Sequence, residues 1–158
     1  MVEAELGYLK GSSEVQKAVT ISPKDFTKPE QAADFVKRTG VQRLAAVFGN
    51  IHGIVTEQKE ELDLERLMDI AQATGDAYLV LHGASGLSDI QVKSAIAAGI
   101  TNVHFNTELR VAYTTSILET LRSNPEQTTP YKYLGPAADK VRELVADKTR
   151  LFMAGARR

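Results

Sequence analysis

The sequence predicts an α/β chain that makes the second half of a (β/α)8, TIM-type barrel: about four parallel strands alternating with helices, then a C-terminal helix. Short apolar runs of the kind buried in parallel sheets alternate with stretches of helical periodicity along all 158 residues. Polar residues share one face of the first and last strands, Glu3 and Glu5 on one, Asn102 and His104 on the other. A doubly wound sheet would bury them under helices, whereas the inner wall and mouth of a barrel accept them. A whole barrel takes eight strands and typically about 250 residues; the chain supplies half.

Residues 2 to 6 alternate, with Val2, Ala4 and Leu6 opposite the two glutamates, and form the first strand. Residues 7 to 26 carry no strong period and are expected to be a long surface loop. Thr27-Lys28-Pro29-Glu30 starts a helix with a capping threonine, a first-turn proline and a glutamate at the capping-box position. It runs to about Arg38 and ends at Gly40. Leu44 to Phe48 is apolar on both faces, a second strand leading into Gly49-Asn50-Ile51-His52-Gly53.

Residues 54 to 61 are expected to be a polar loop. Asp63 then caps a helix that ends near Gly75, with Leu62 and Leu67 as a hydrophobic staple. The third strand, Tyr78 to Leu81, ends in His82 and the small-residue loop Gly83-Ala84-Ser85-Gly86. Ser88-Asp89-Ile90-Gln91 has capping-box spacing for a helix to about Ala98, stopped by Gly99. Asn102 to Phe105 is the fourth strand, and Thr107 caps a helix to about Ser123. Asn124-Pro125 and Thr129-Pro130 break the chain before a last helix, Ala137 to Met153.

Length allows a single domain, residues 1–158, with a sizeable core. Nineteen basic residues against twenty acidic, with no basic run interleaved with aromatics, leave no role for nucleic acid or an anionic membrane. No stretch has the length of a membrane span. The first residues show neither a basic n-region nor an apolar h-region, so no secretory signal is expected and the cytoplasm is the default location. Without cysteine, any metal must be held by His, Asp or Glu.

Right-handed crossovers put every strand's C-terminal end on one rim, and His52, His82 and the Asn106-Thr107 turn fall there. A single histidine at a strand end is more often a structural hydrogen-bonder; two in matching positions, each before a glycine, could share a metal. A third ligand could come from His104, or from Glu5 or Glu3, which could instead support the ligands by hydrogen bonds. The Gly83–Gly86 loop and the Asn106-Thr107-Glu108 turn both feed helix N-termini, where backbone N–H groups and the helix dipole suit a phosphate. Each alone is a common connector; side by side at a barrel rim they point to a phosphate site. Arg110 could reach a second anionic group, although an arginine there is more often a surface charge.

Five segments carry a family resemblance: Val2-Glu3-Ala4-Glu5-Leu6-Gly7, Phe48-Gly49-Asn50-Ile51-His52-Gly53, Leu81-His82-Gly83-Ala84-Ser85-Gly86, Asn106-Thr107-Glu108-Leu109-Arg110 and Tyr131-Lys132-Tyr133-Leu134-Gly135-Pro136. In this order they resemble the C-terminal half, from the fifth strand onward, of the class II, metal-dependent fructose-bisphosphate and tagatose-bisphosphate aldolases. The resemblance implies a zinc-dependent aldehyde-lyase of carbohydrate metabolism, placed in glycolysis, usually a homo-oligomer, with zinc or another divalent cation as cofactor. It implies reversible aldol cleavage of fructose 1,6-bisphosphate or a related ketose bisphosphate to dihydroxyacetone phosphate and an aldehyde, with no Schiff-base lysine.

By the same resemblance His52 and His82 are two of three metal-binding histidines, and Glu5 is a carboxylate near the metal. Gly53, Gly83, Ser85, Asn106 and Thr107 hold the phosphate of dihydroxyacetone phosphate, and Arg110 approaches the far phosphate. The family's acid/base aspartate and adjoining third histidine have no counterpart here, so the chain holds no catalytic acid/base residue and is expected to be inactive alone. Val55-Thr56 replaces a usual Tyr-Lys, His104 a substrate-contacting asparagine, and Ser12 and Ser13 two acidic residues. The alternative is a non-catalytic half-barrel that binds a phosphorylated ligand or pairs with itself or a separate N-terminal half. A flavodoxin-like phosphate binder, the third possibility, predicts helices on both sheet faces.

Overall fold

Residues 1–155 are described by a computed structural model. In chain order the strands are β1 (Glu3–Leu6), β2 (Gly11–Gln16), β3 (Arg43–Ala46), β4 (His52–Val55), β5 (Tyr78–Leu81) and β6 (Ile100–Val103). The helices are α1 (Pro29–Thr39), α2 (Leu64–Thr74), α3 (Asp89–Ala97), α4 (Thr107–Ser123) and α5 (Pro130–Gly155), with a 3-10 turn at Pro23–Asp25. β1, β3, β5 and β6 form a parallel sheet in that order. Among the described residues, no helix is long and apolar enough to cross a membrane.

The two faces of this sheet differ as the alternation demands. Leu44, Ala46, Leu79 and Leu81 pack with Ala32 of α1, Leu67 and Ile70 of α2, and Val92 and Ala95 of α3 in one buried cluster. α1 touches α2, α2 touches α3 and α3 touches α5, so the helical layer follows the sheet in sequence. On the opposite face the register row is Glu5, Ala45, Val80 and Asn102. Small or branched residues fill its centre and polar ones its ends, the pattern of a barrel wall and not of a doubly wound sheet.

Several expectations need correction. Residues 11–16 and 52–55 lie within segments expected to be loops, yet they pair in parallel as β2 and β4. Neither has a hydrophobic pattern to announce it; backbone bonding holds them, including His52 N–H to the Lys10 carbonyl at 2.8 Å. Thr27 does not cap α1, whose N-cap is Lys28. It is buried and ties two strand ends together: its hydroxyl donates to the Leu6 carbonyl at 2.7 Å and accepts from Val47 N–H at 2.9 Å. The fourth strand starts at Ile100 and ends at Val103, leaving His104 just beyond it. The last helix begins at Pro130, a favourable first position, and carries Pro136 in its second turn, so the tail segment is helical.

Two other caps form where the spacing predicts them, and the one expected at Thr107 does not: Thr107 is the first residue of α4, whose N-cap is Asn106 without a side-chain cap bond. Asp63 accepts from Arg66 N–H at 2.9 Å and its own N–H reaches the Phe48 carbonyl at 2.7 Å, docking α2 against the end of β3. Ser88 accepts from Gln91 N–H at 3.4 Å, but the Gln91 amide braces the 60–62 loop instead of completing a capping box.

Thr27→Val keeps the shape and removes both hydroxyl bonds, leaving a buried carbonyl and N–H without this partner. We expect a loss of about 2 kcal/mol of unfolding free energy in a urea titration; a change below about 0.5 kcal/mol would show that the threonine does not bind the strand ends.

Candidate metal and phosphate site

His52 opens β4 after the turn that follows β3, His82 directly follows β5, and a buried amide holds the two segments together. Asn50 is fully buried. Its Nδ2 donates to the Ala46 carbonyl at 3.2 Å and the His82 carbonyl at 3.0 Å, and its Oδ1 accepts from Phe48 N–H at 2.9 Å. Gly83 has φ +69°, and a Cβ there would collide with the Ile51 carbonyl oxygen. The backbones carrying His52 and His82 therefore lie against each other. They open on a cleft of about 220 Å³ lined by Ser13, His52, Gly53, His82, Gly83, Ser85, His104, Asn106 and Thr107.

His82 stands between two carboxylates. Its Nδ1 is 2.7 Å from Glu5 Oε2 and its Nε2 is 3.0 Å from Glu3 Oε1. A neutral imidazole has one donor, so both contacts are hydrogen bonds only when both nitrogens are protonated. His104 stacks on His82 with ring centroids 4.6 Å apart. Its Nε2 lies 3.0 Å from Asn102 Nδ2 and 3.7 Å from Glu3 Oε1. Burial, and then the neighbouring His82, hold the His104 pKa below the usual histidine value, which favours the neutral ring. Arg43 reaches Glu3 at 3.8 Å.

One side of the cleft is built by the start of α4. Ser85 is buried, and its Oγ accepts from Glu108 N–H in the first turn of α4 at 3.4 Å. Glu108 returns a carboxylate oxygen to Gly86 N–H at 3.0 Å, and Lys148 of α5 pairs with Glu108 at 2.9 Å while lying 4.5 Å above the Phe105 ring. The small-residue loop and the start of α4 thus form one unit.

Seven sequence-predicted residues come together on the cleft: His52, Gly53, His82, Gly83, Ser85, Asn106 and Thr107. Glu5 meets His82 from behind, at Nδ1. Arg110 is not among the cleft residues: its Nη1 donates to the Ser13 carbonyl at 2.6 Å, and it lines an adjoining hollow with Ser13 and Thr107. The sequence reading overlooked Asn50, whose role depends on where the His82 carbonyl lies. It also overlooked Glu60, buried beneath the His52 turn. Glu60 Oε1 accepts from Ile51 N–H at 3.1 Å, its Oε2 has no partner among the described residues, and burial raises its pKa to about 8 despite that bond.

The family model described as fructose-bisphosphate aldolase class-II matches residues 1–157. A fructose-bisphosphate aldolase from Thermus caldophilus is 37% identical over 175 aligned positions, which cover 96% of this chain and 56% of that protein. The crystal structure of the YdjI aldolase from Escherichia coli K12 superposes with a TM-score of 0.73 at 34% identity, covering 95% of this chain and 48% of that one. A fructose-bisphosphate aldolase structure from Campylobacter jejuni gives a TM-score of 0.67 at 21% identity over 82% of this chain and 45% of that one, a likeness in fold alone. The chain spans about half the length of these relatives.

Glu60 supplies a test of the brace under His52. Its carboxyl is raised from 4.5 to about 8 in the fold, so the folded state holds a proton that the unfolded state has already lost in this interval. Stability therefore falls as pH rises from about 4.5 to about 8. Glu60→Gln keeps an acceptor for Ile51 N–H without the ionisation. Thermal unfolding across this range should show a flatter pH dependence for the variant; equal slopes would remove Glu60 as the cause.

Proposed function

This chain belongs to the class II fructose-bisphosphate aldolase family, and we propose that residues 1–158 are the C-terminal half-barrel of such an enzyme. The reaction is reversible aldol cleavage of fructose 1,6-bisphosphate or a related ketose bisphosphate to dihydroxyacetone phosphate and an aldehyde. One observation carries this reading: two strand-end histidines and a glycine-serine loop at a helix N-terminus converge on one cleft.

His52 and His82, which line the same cleft, would be two of the ligands of zinc or another divalent cation, the third lying outside this chain. Glu5 at Nδ1 of His82 holds the ring so that Nε2, which meets Glu3 in this structure, is the nitrogen left to bind a metal, the carboxylate-histidine arrangement that orients imidazole ligands. When bound, the metal supplies a Lewis acid that polarises the substrate ketone. The chain's own part is to hold the substrate. Gly53, Gly83, Ser85, Asn106 and Thr107 take the phosphate of the dihydroxyacetone phosphate moiety, where the α4 dipole and backbone N–H groups favour an anion. Arg110, beside Ser13, serves the far phosphate. No acid/base residue is assigned here; it lies in the other half, and this chain alone is inactive. We place the complete enzyme in the cytoplasm and in glycolytic carbohydrate metabolism, as a homo-oligomer.

A second reading, a non-catalytic half-barrel that pairs with itself or with a separate N-terminal half, draws on the sheet edges. The clefts of about 610 Å³ and about 500 Å³ flank β1 and β6, the two edge strands, whose outer N–H and C=O groups face no strand.

The first test is calorimetry with dihydroxyacetone phosphate. We expect binding by the purified chain and about tenfold weaker binding by Ser85→Ala, the equivalent of one hydrogen bond of ~1.4 kcal/mol. Absence of binding, or binding indifferent to Ser85, would contradict the phosphate assignment; aldol cleavage by the chain alone would contradict the missing acid/base residue.

A further inference from the structure

We propose that this chain carries a divalent-cation position of its own, on Glu3, His82 and His104, with all three ligands inside the chain. Oε1 of Glu3 and one ring nitrogen from each histidine lie within 4.8 Å of one another, and among the described residues this is the group of three that could hold an ion. It differs from the position proposed above, with which it shares only His82.

Geometry and charge both suit an ion. Metal bonds of about 2.0–2.1 Å in a tetrahedral site set donor atoms about 3.4 Å apart. Glu3 Oε1 stands 3.0 Å from His82 Nε2 and 3.7 Å from His104 Nε2, one on either side of that spacing. Two imidazoles and one glutamate are a donor set used in catalytic zinc sites, where a fourth position stays open. Glu5 at Nδ1 of His82 orients that ring, so an ion at Nε2 replaces the proton that the Glu3 contact would otherwise share. Two carboxylates gather here against one nearby arginine, Arg43, which leaves room for positive charge.

The placement gives the ion a mechanical role. Glu3 belongs to β1, His82 follows β5 and His104 follows β6, so an ion here ties the first and last strands of the sheet across its polar face. Asn102, which meets His104 Nε2 at 3.0 Å, must give up that contact when the ion binds.

The experiment titrates the purified chain with Co²⁺, reading visible absorption, with calorimetry for stoichiometry. We expect one equivalent to bind with the bands of a low-coordinate site. Glu3→Gln and His104→Asn should each weaken binding at least tenfold, whereas an ion held on His52 and His82 would not feel His104→Asn. Both weakening variants keep polar side chains of similar size, and circular dichroism checks their folding. No binding by the unmutated chain, or binding that survives both His104→Asn and Glu3→Gln, would overturn the proposal. None of these outcomes bears on dihydroxyacetone phosphate binding, so the aldolase reading stands or falls separately.

Discussion

One buried amide sets the distance on which this site depends. Asn50 holds three backbone groups at once, two at the end of β3 and one at the end of β5. In the dry interior each of those groups would cost free energy if left without a partner. The amide can satisfy all three only while the two strand ends stay side by side. That fixes the turns before His52 and after His82, and Gly83 closes the remaining gap because no Cβ fits against the Ile51 carbonyl. The histidines then share a cleft as a consequence of backbone bookkeeping, before any ligand is considered.

Around this joint the polar face of the sheet does what a hydrophobic face cannot. Glu3, Glu5, His82, Asn102 and His104 are linked by contacts of 2.7–3.7 Å, and Ala45 and Val80, both fully buried, fill the row between Glu5 and Asn102. Two carboxylates set this close, Glu3 half-buried and Glu5 exposed, favour positive charge beside them. Arg43, the imidazoles and a cation are the available sources. The helical face makes no such demand: Leu44, Leu79 and Leu81 meet the helices in an ordinary apolar core. The sheet thus separates stability, on its helix side, from chemistry, on its inner side.

The main sheet and its helices were legible because hydrophobic periodicity encodes them. Leu44 to Val47 and Leu79 to Leu81 are buried on both faces, whereas the expected matching of His52 and His82 at strand ends is only partial: His82 directly follows β5, but His52 opens β4. The β2–β4 pair was not legible: Gly-Ser-Ser-Glu has no period, and its strand character lies in backbone bonds that any residue can make. Thr27 was misread for the same kind of reason, since its capping-box spacing is genuine but its hydroxyl finds better partners in Leu6 and Val47. Alternation put Glu3 and Glu5 on one face without telling which reaches which nitrogen of His82. That depends on how far the sheet curls, a property of the packed whole.

The central claim is that this chain supplies the metal and phosphate half of an aldolase active site, and a complementation assay tests it most directly. Mixing the purified chain with the N-terminal half of the Thermus caldophilus relative, to which its own family membership and 37% identity connect it, and following dihydroxyacetone phosphate release from fructose 1,6-bisphosphate gives the readout. The account predicts cleavage by the mixture, none by either half alone, and none when the chain carries His82→Ala. A stable complex of the two halves that leaves the substrate intact, or cleavage that persists in His82→Ala, would contradict it.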